Sequence, residues 1–165
     1  MATEGTGAEP VAVSSAAFRR PRLIRFAHCD PAGIVYFPRW FDLLHSQMED
    51  FFGEELGFPY ASLIGPRRLG FPTVRVETDF RSPGRQGERP DFILLVERIG
   101  RTSLQFLHLV EGEGRLRLQA RQIVVTMDLV DEKPVAVPAD LLAALEAYRS
   151  RCAEPRSCVS GNSER

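Results

Sequence analysis

Lysine is almost absent from this 165-residue sequence. Of its 21 basic residues only Lys133 is not arginine, which leaves arginine as the side chain at hand for reading phosphate. An excess of either charge is missing too. With 21 basic and 22 acidic residues the formal net charge is −1, so no overall field steers the protein onto nucleic acid or an anionic membrane. No apolar run approaches the roughly 20 residues that span a bilayer, and the first residues carry Glu4 rather than a basic stretch followed by an apolar one. The expected address is the cytoplasm, with neither membrane nor nucleic acid as a partner. Cysteine is scarce: Cys29, Cys152 and Cys158 are an odd number without ligand spacing. Together with three histidines and no HxxxH or CxxC pattern, they provide neither a disulfide framework nor a metal site, and no metal is expected.

What is present is an ordinary globular composition, 44% hydrophobic and 26% charged, in a length that fits one domain. Residues 1–17 are small and polar and read as a flexible N-terminal tail, as do residues 151–165 at the other end, leaving a domain over 18–150. Leu23, Ile24 and Phe26 predict a short strand running into the punctuated stretch Cys29-Asp30-Pro31-Ala32-Gly33. Pro38 then precedes Phe41, Leu44, His45, Met48, Phe52 and Leu56, an apolar series at helical spacing that stops at Gly57. From Phe71 the period changes to two. Four consecutive strands follow, around Val74 to Phe80, Asp91 to Ile99, Leu104 to Val110 and Leu116 to Thr126, and they read as an antiparallel meander. Leu141, Leu142, Leu145 and Tyr148 after Pro138 predict a short amphipathic helix. The order is α+β: five strands, one long helix to fill the concave face of the sheet, and a short C-terminal helix. One helix cannot cover both faces of such a sheet, so self-association is expected.

The run Phe26-Ala27-His28-Cys29-Asp30-Pro31-Ala32-Gly33-Ile34-Val35-Tyr36-Phe37-Pro38 resembles the signature of the hotdog-fold acyl-CoA thioesterases of the 4-hydroxybenzoyl-CoA thioesterase family. The resemblance continues through Gly70-Phe71-Pro72, Ile99-Gly100-Arg101-Thr102-Ser103 and Pro134-Val135-Ala136-Val137-Pro138, and covers about Arg22 to Tyr148. It implies a hotdog fold, a five-stranded antiparallel sheet wrapped around one long helix. It also implies a homo-oligomer, a tetramer built from dimers, with active sites between subunits. The substrate would be an acyl-CoA, with an aromatic or a short to medium acyl chain, and no further cofactor is needed.

Thioester hydrolysis requires a nucleophile or activated water and stabilisation of the developing oxyanion. The resemblance makes Asp30 the catalytic carboxylate, as nucleophile or general base, and the backbone N–H of Phe37 the group that polarises the carbonyl. Gly33 serves the same site through its turn. An isolated Asp-Pro would otherwise be read as an Asx-turn or helix cap. Tyr36, Phe37, Trp40, His45 and Phe71 are candidates to shape the acyl pocket. On its spacing His45 should point toward the sheet or a cavity beneath the helix. In the 4-hydroxybenzoyl-CoA enzyme the matching position is an aspartate that receives the substrate hydroxyl, and the residue matching Phe37 is a tyrosine. Arg101, Ser103 and Lys133 are the candidates to hold coenzyme A. Two other functions share the fold. A hydratase or dehydratase would need an acid-base pair such as His45 with Asp30, and a non-catalytic acyl-CoA binding protein would bind without turnover.

Overall fold

The computed structural model describes residues 13–153. In chain order the elements are β1 (Phe18–Pro21), α1 (Phe37–Asp50), α2 (Tyr60–Ile64), β2 (Leu69–Gly70), β3 (Thr73–Phe80), β4 (Asp91–Ile99), β5 (Ser103–Gly112), β6 (Arg115–Val125), β7 (Met127–Asp128), β8 (Lys133–Pro134) and α3 (Ala139–Ala153). The long helix forms where the apolar spacing placed it, with Pro38 in its first turn. It continues into a π-helical turn at Phe51–Glu55 and ends before Gly57, whose φ of +78° suits the left-handed stop. Phe51 and Phe52 in this turn are both fully buried, continuing the inner face that Gln47 and Met48 begin.

Five strands form one antiparallel sheet in the order β1-β4-β5-β6-β3. This is the hotdog arrangement, with α1 against the inner face. Only β4, β5 and β6 make a meander. β3 departs from the expectation by crossing to the far edge, where it pairs with β6 from Thr73↔Val124 to Phe80↔Leu118. Periodicity identifies a strand but not its neighbour, and the connection over residues 81–90 is long enough to make the crossing. The β5–β6 turn is a two-residue hairpin, with Glu113 and Gly114 both at positive φ. The smaller strands β2, β7 and β8 form a separate three-stranded patch.

The first strand is shifted from the expectation. It occupies Phe18–Pro21, whereas Arg22 and Ile24 direct their N–H groups to Pro90 and Glu88 in the 81–90 connection, and Phe26–His28 form a 3-10 turn. A segment bonded to a loop has no ladder to join, and of its apolar residues only Ile24 is buried, at 1% exposed, whereas Phe26 stands out in solvent. The tail boundaries also move. Ala17 is buried against Ile93, Leu109 and Leu116 on the outer face of the sheet, and α3 extends to Ala153. The remainder of both tails, 1–12 and 154–165, lies outside the described residues. α3 closes the inner side near β1 and β4. The Tyr148 hydroxyl accepts from the Phe18 N–H at 2.8 Å and donates to the Leu94 carbonyl, joining helix, edge strand and its neighbour. No helix among the described residues is long and apolar enough to cross a membrane.

Candidate active site

The loop between the 3-10 turn and α1 is closed on itself by backbone bonds. Asp30 N–H donates to Ile34, Gly33 N–H returns to Asp30, and Tyr36 N–H reaches His28, at 2.9 Å each. Val35 N–H donates to Gly84 at 2.9 Å, which fastens the loop to the 81–90 connection. Gly33 sits at φ +73°, a conformation that side chains with a Cβ rarely adopt. Asp30 does form an Asx-turn, its Oδ1 accepting from the Ala32 N–H at 2.8 Å. Its Oδ2 has no hydrogen-bond partner among the described residues, so one oxygen orients the carboxylate and the other remains available. The flanking groups do not compete. The Cys29 thiol is pushed up by burial and by the charge of Asp30. Burial, with Arg25 and Arg39, holds His28 below the ordinary histidine range, and its Nδ1 accepts from the Arg25 N–H at 3.0 Å.

The head of α1 singles out one donor. The Tyr36 N–H is taken by His28, Pro38 has no N–H, and the Arg39 N–H folds back to the Tyr36 carbonyl at 2.8 Å. The Phe37 N–H alone of these has no acceptor among the described residues, at the positive end of the helix. Two cavities open along the same edge of α1. One of about 310 Å³ at its head is bounded by Ile34, Phe37, Trp40, Phe80 and Gly84. The next, about 280 Å³, is bounded by Phe41, Asp42, Leu44 and His45 of the helix and by Val76 and Ala120 of the sheet, with Thr73 and Gln122 as the polar wall on the sheet side. Gly84 is needed here because a Cβ would lie 2.7 Å from the Trp40 ring.

Of its two expected placements, toward the sheet or a cavity beneath the helix, His45 takes the second, and only from the edge. It is half-exposed at the rim, 3.2 Å from Glu49 and edge-on to Tyr60, because the buried face of α1 runs through Trp40, Leu43, Leu44, Gln47 and Met48, turned away from Phe41 and His45. It lines the second cavity from the side and pairs with Glu49, not with Asp30, so no acid-base pair of those two exists. Trp40 is buried behind the first cavity, while Tyr36 stands exposed and edge-on to Phe37. Phe71 packs in the core against Phe52 and Tyr60. Arg101, Ser103 and Lys133 gather elsewhere. Thr126 N–H binds the Thr102 carbonyl, Val135 N–H binds Thr126 and Val137 N–H binds Arg101, which brings their three segments to one end of the sheet. That end adjoins Val124 and Val125 of β6, whereas the Asp30 loop and Gly84 adjoin Leu118 at the other. Arg101 and Lys133 are exposed there. One protomer therefore does not bring the two halves of the expected site together.

A buried polar chain beneath the second cavity has no counterpart among the residues that the sequence singled out. His108, fully buried on β5, stands between Gln47 of α1 and Gln122 of β6. The available signal was inner-face alternation: His108 shares a parity with Leu104, Phe106 and Val110, and Gln122 with Leu118, Ala120 and Val124. Among the described residues no group of three or more His, Cys, Asp or Glu side chains is placed to hold a metal ion.

The family model of the thioesterase-like superfamily matches residues 24–145, which span both the Asp30 loop and the whole sheet. The chain belongs to the thioesterase-like superfamily. Within it, a curated relative from Synechococcus, 1,4-dihydroxy-2-naphthoyl-CoA hydrolase, is 31% identical over 84 residues, 48% of this chain and 56% of that protein, so the match spans little more than half of the relative. Among solved structures, a hypothetical protein from Thermus thermophilus shares 26% identity at a TM-score of 0.73, covering 79% of this chain and 98% of the other. A 1,4-dihydroxy-2-naphthoyl-CoA thioesterase from Synechocystis superposes with a TM-score of 0.72 at 21% identity, over 78% and 95% of the two chains. This thioesterase-like chain thus shares the sheet-around-helix frame with both.

Proposed function

We propose that this member of the superfamily hydrolyses an acyl-CoA thioester whose acyl group is aromatic, releasing free acid and CoA. The observation that carries this is that, among the described residues, one loop and helix head offer a carboxylate oxygen without a partner, Asp30 Oδ2, and an N–H without an acceptor, that of Phe37, beside an apolar groove. The Phe37 N–H receives the thioester oxygen and strengthens its hold as charge develops there. Asp30 either attacks the carbonyl carbon, expelling CoA thiolate and leaving a mixed anhydride for water to open, or takes the proton of an attacking water. The names of the relatives support an aromatic acyl group, and the apolar walls Phe41, Leu44 and Val76 are compatible with one.

The site is completed by a second copy. β3 is an unpaired edge with Val76 and Phe80 40% and 50% exposed, and antiparallel pairing of two such edges sets the Thr73 end of one against the Phe80 end of the other. Arg101, Ser103 and Lys133 of one protomer then approach the Asp30 loop of its partner, where the two cations meet the phosphates of CoA. Half-buried Leu95 and Leu107 on the outer face are the surface on which two dimers would stack into a tetramer.

Thiol release from benzoyl, phenylacetyl and straight-chain acyl-CoA thioesters tests the activity. An aromatic thioester should be turned over by the wild type and lose more than a hundredfold in kcat in a folded Asp30→Asn protein. Equal turnover in that variant would remove Asp30 from the chemistry.

A further inference from the structure

The polar wall of the second cavity leads inward to a histidine that no step above uses. Thr73 Oγ1 accepts from Gln122 Nε2 at 2.7 Å, Gln122 Oε1 stands 2.9 Å from His108 Nε2, and His108 Nδ1 stands 3.0 Å from Gln47 Oε1. Gln47 Nε2 is buried and has no partner among the described residues. Hydrogen-bond valence gives this chain a direction. A neutral imidazole has one N–H and one lone pair, and cannot donate to two amide oxygens. Burial holds His108 neutral, and turning over the Gln47 carboxamide pairs its stranded N–H with the Nδ1 lone pair. His108 Nε2–H then donates to Gln122, whose own N–H donates to Thr73. The Thr73 oxygen, already accepting, has its proton to give, and it has no acceptor among the described residues. It lies at the cavity wall, where Phe41, Leu44, Val76 and Ala120 provide the apolar lining and Asp42 and His45 the polar groups contributed by the helix.

We propose that Thr73 is the specificity-determining residue of the acyl pocket, its hydroxyl held by Gln122, His108 and Gln47 as a hydrogen-bond donor to an oxygen substituent on an aryl acyl group. The inference rests on the groove being the acyl site. Phe37 to His45 covers about 12 Å of helix, room for the aryl group to extend from a carbonyl at the helix head to this wall. The bare aryl group offers the Thr73 hydroxyl no oxygen to bond, and discrimination follows from that lost pairing.

The test compares benzoyl-CoA with 3-hydroxybenzoyl-CoA and 4-hydroxybenzoyl-CoA on wild type, Thr73→Val, Thr73→Ser and Gln122→Leu. Both kcat/KM from thiol release and Kd on the Asp30→Asn background are measured. One hydroxylated thioester should be preferred over benzoyl-CoA by roughly tenfold in wild type. The preference should collapse in Thr73→Val, shrink in Gln122→Leu and persist in Thr73→Ser. A structural role would lower all substrates together and leave the ratio unmoved. Turnover without a Thr73-dependent ratio overturns this inference and leaves the thioesterase reading standing. Thr73-dependent binding without turnover by the wild type does the reverse. Neither binding nor turnover of any of the three overturns both.

Discussion

Acidification should destabilise this protein through His108 before it titrates most carboxylates. Burial lowers the histidine from its ordinary 6.5 to about 4, and its polar partners, Gln47 and Gln122, carry no charge. Between those values the unfolded chain binds a proton that the folded chain refuses, so stability rises with pH from about 4 to 6.5 and levels off above. At about 1.4 kcal/mol for each pH unit that separates the two states, the full loss is roughly 3 kcal/mol, of which about 2 falls between pH 7 and pH 5. With a urea dependence of about 1–3 kcal/mol per molar, the midpoint should drop by on the order of 1 M over that interval. The assay is urea unfolding by circular dichroism from pH 7.5 to 5.0, on wild type and on His108→Gln. The variant removes the titrating ring while leaving carboxylates and the other two histidines in place, so the difference between the two curves isolates His108. Parallel curves would refute the reasoning, since they would mean that the ring is protonated in the fold or hydrated within it.

Three further outcomes are expected. Tyr148→Phe strands the Phe18 N–H beneath α3 and should cost roughly 1–3 kcal/mol, seen as a Tm several degrees lower. An unchanged Tm would mean that the hydroxyl does not join helix to edge strand. Gly84→Ala drives a methyl into Trp40 and Ile24 and should cost about 1–3 kcal/mol while loosening the Asp30 loop through the Val35 bond, so calorimetry and turnover should fall together. Val76→Asp places a charge on the free edge of β3 and should give monomers by sedimentation velocity; a wild-type assembly would exclude β3 as the interface.

Much of the frame was legible because each signal is local. The spacing of Phe41, Leu44, Met48 and Phe52 between Pro38 and Gly57 depends only on the helical period, and the alternation of β6 only on the pleat. Pairing is not local, which is why the crossing of β3 to β6 was hidden although the strand itself was plain. His45 illustrates a finer limit. Its spacing fits the apolar stripe, yet the buried arc is centred on Leu44 and Gln47, and one polar residue at the edge of an arc can face either way. The loop around Asp30 and the Phe37 N–H were found through the long motif, whereas only counting bonds showed that Asp30 Oδ2 and that N–H lack partners among the described residues. The separation of Arg101 and Lys133 from that loop is a property of the whole sheet and has no signature in sequence.

The outward residues of the free edge, Arg75, Glu77, Asp79 and, just beyond it, Arg81, form a short charge palindrome. Laid antiparallel on its own copy about Val76, the strand sets each Arg75 opposite the partner's Glu77. Moved so that Thr78 lies on the axis, it sets Arg75 against the partner's Arg81 and Glu77 against the partner's Asp79, like facing like. Apolar area would reward either alignment. The spelling of the charges chooses between them, so the edge carries the instruction for its own register as well as the surface for its own closure.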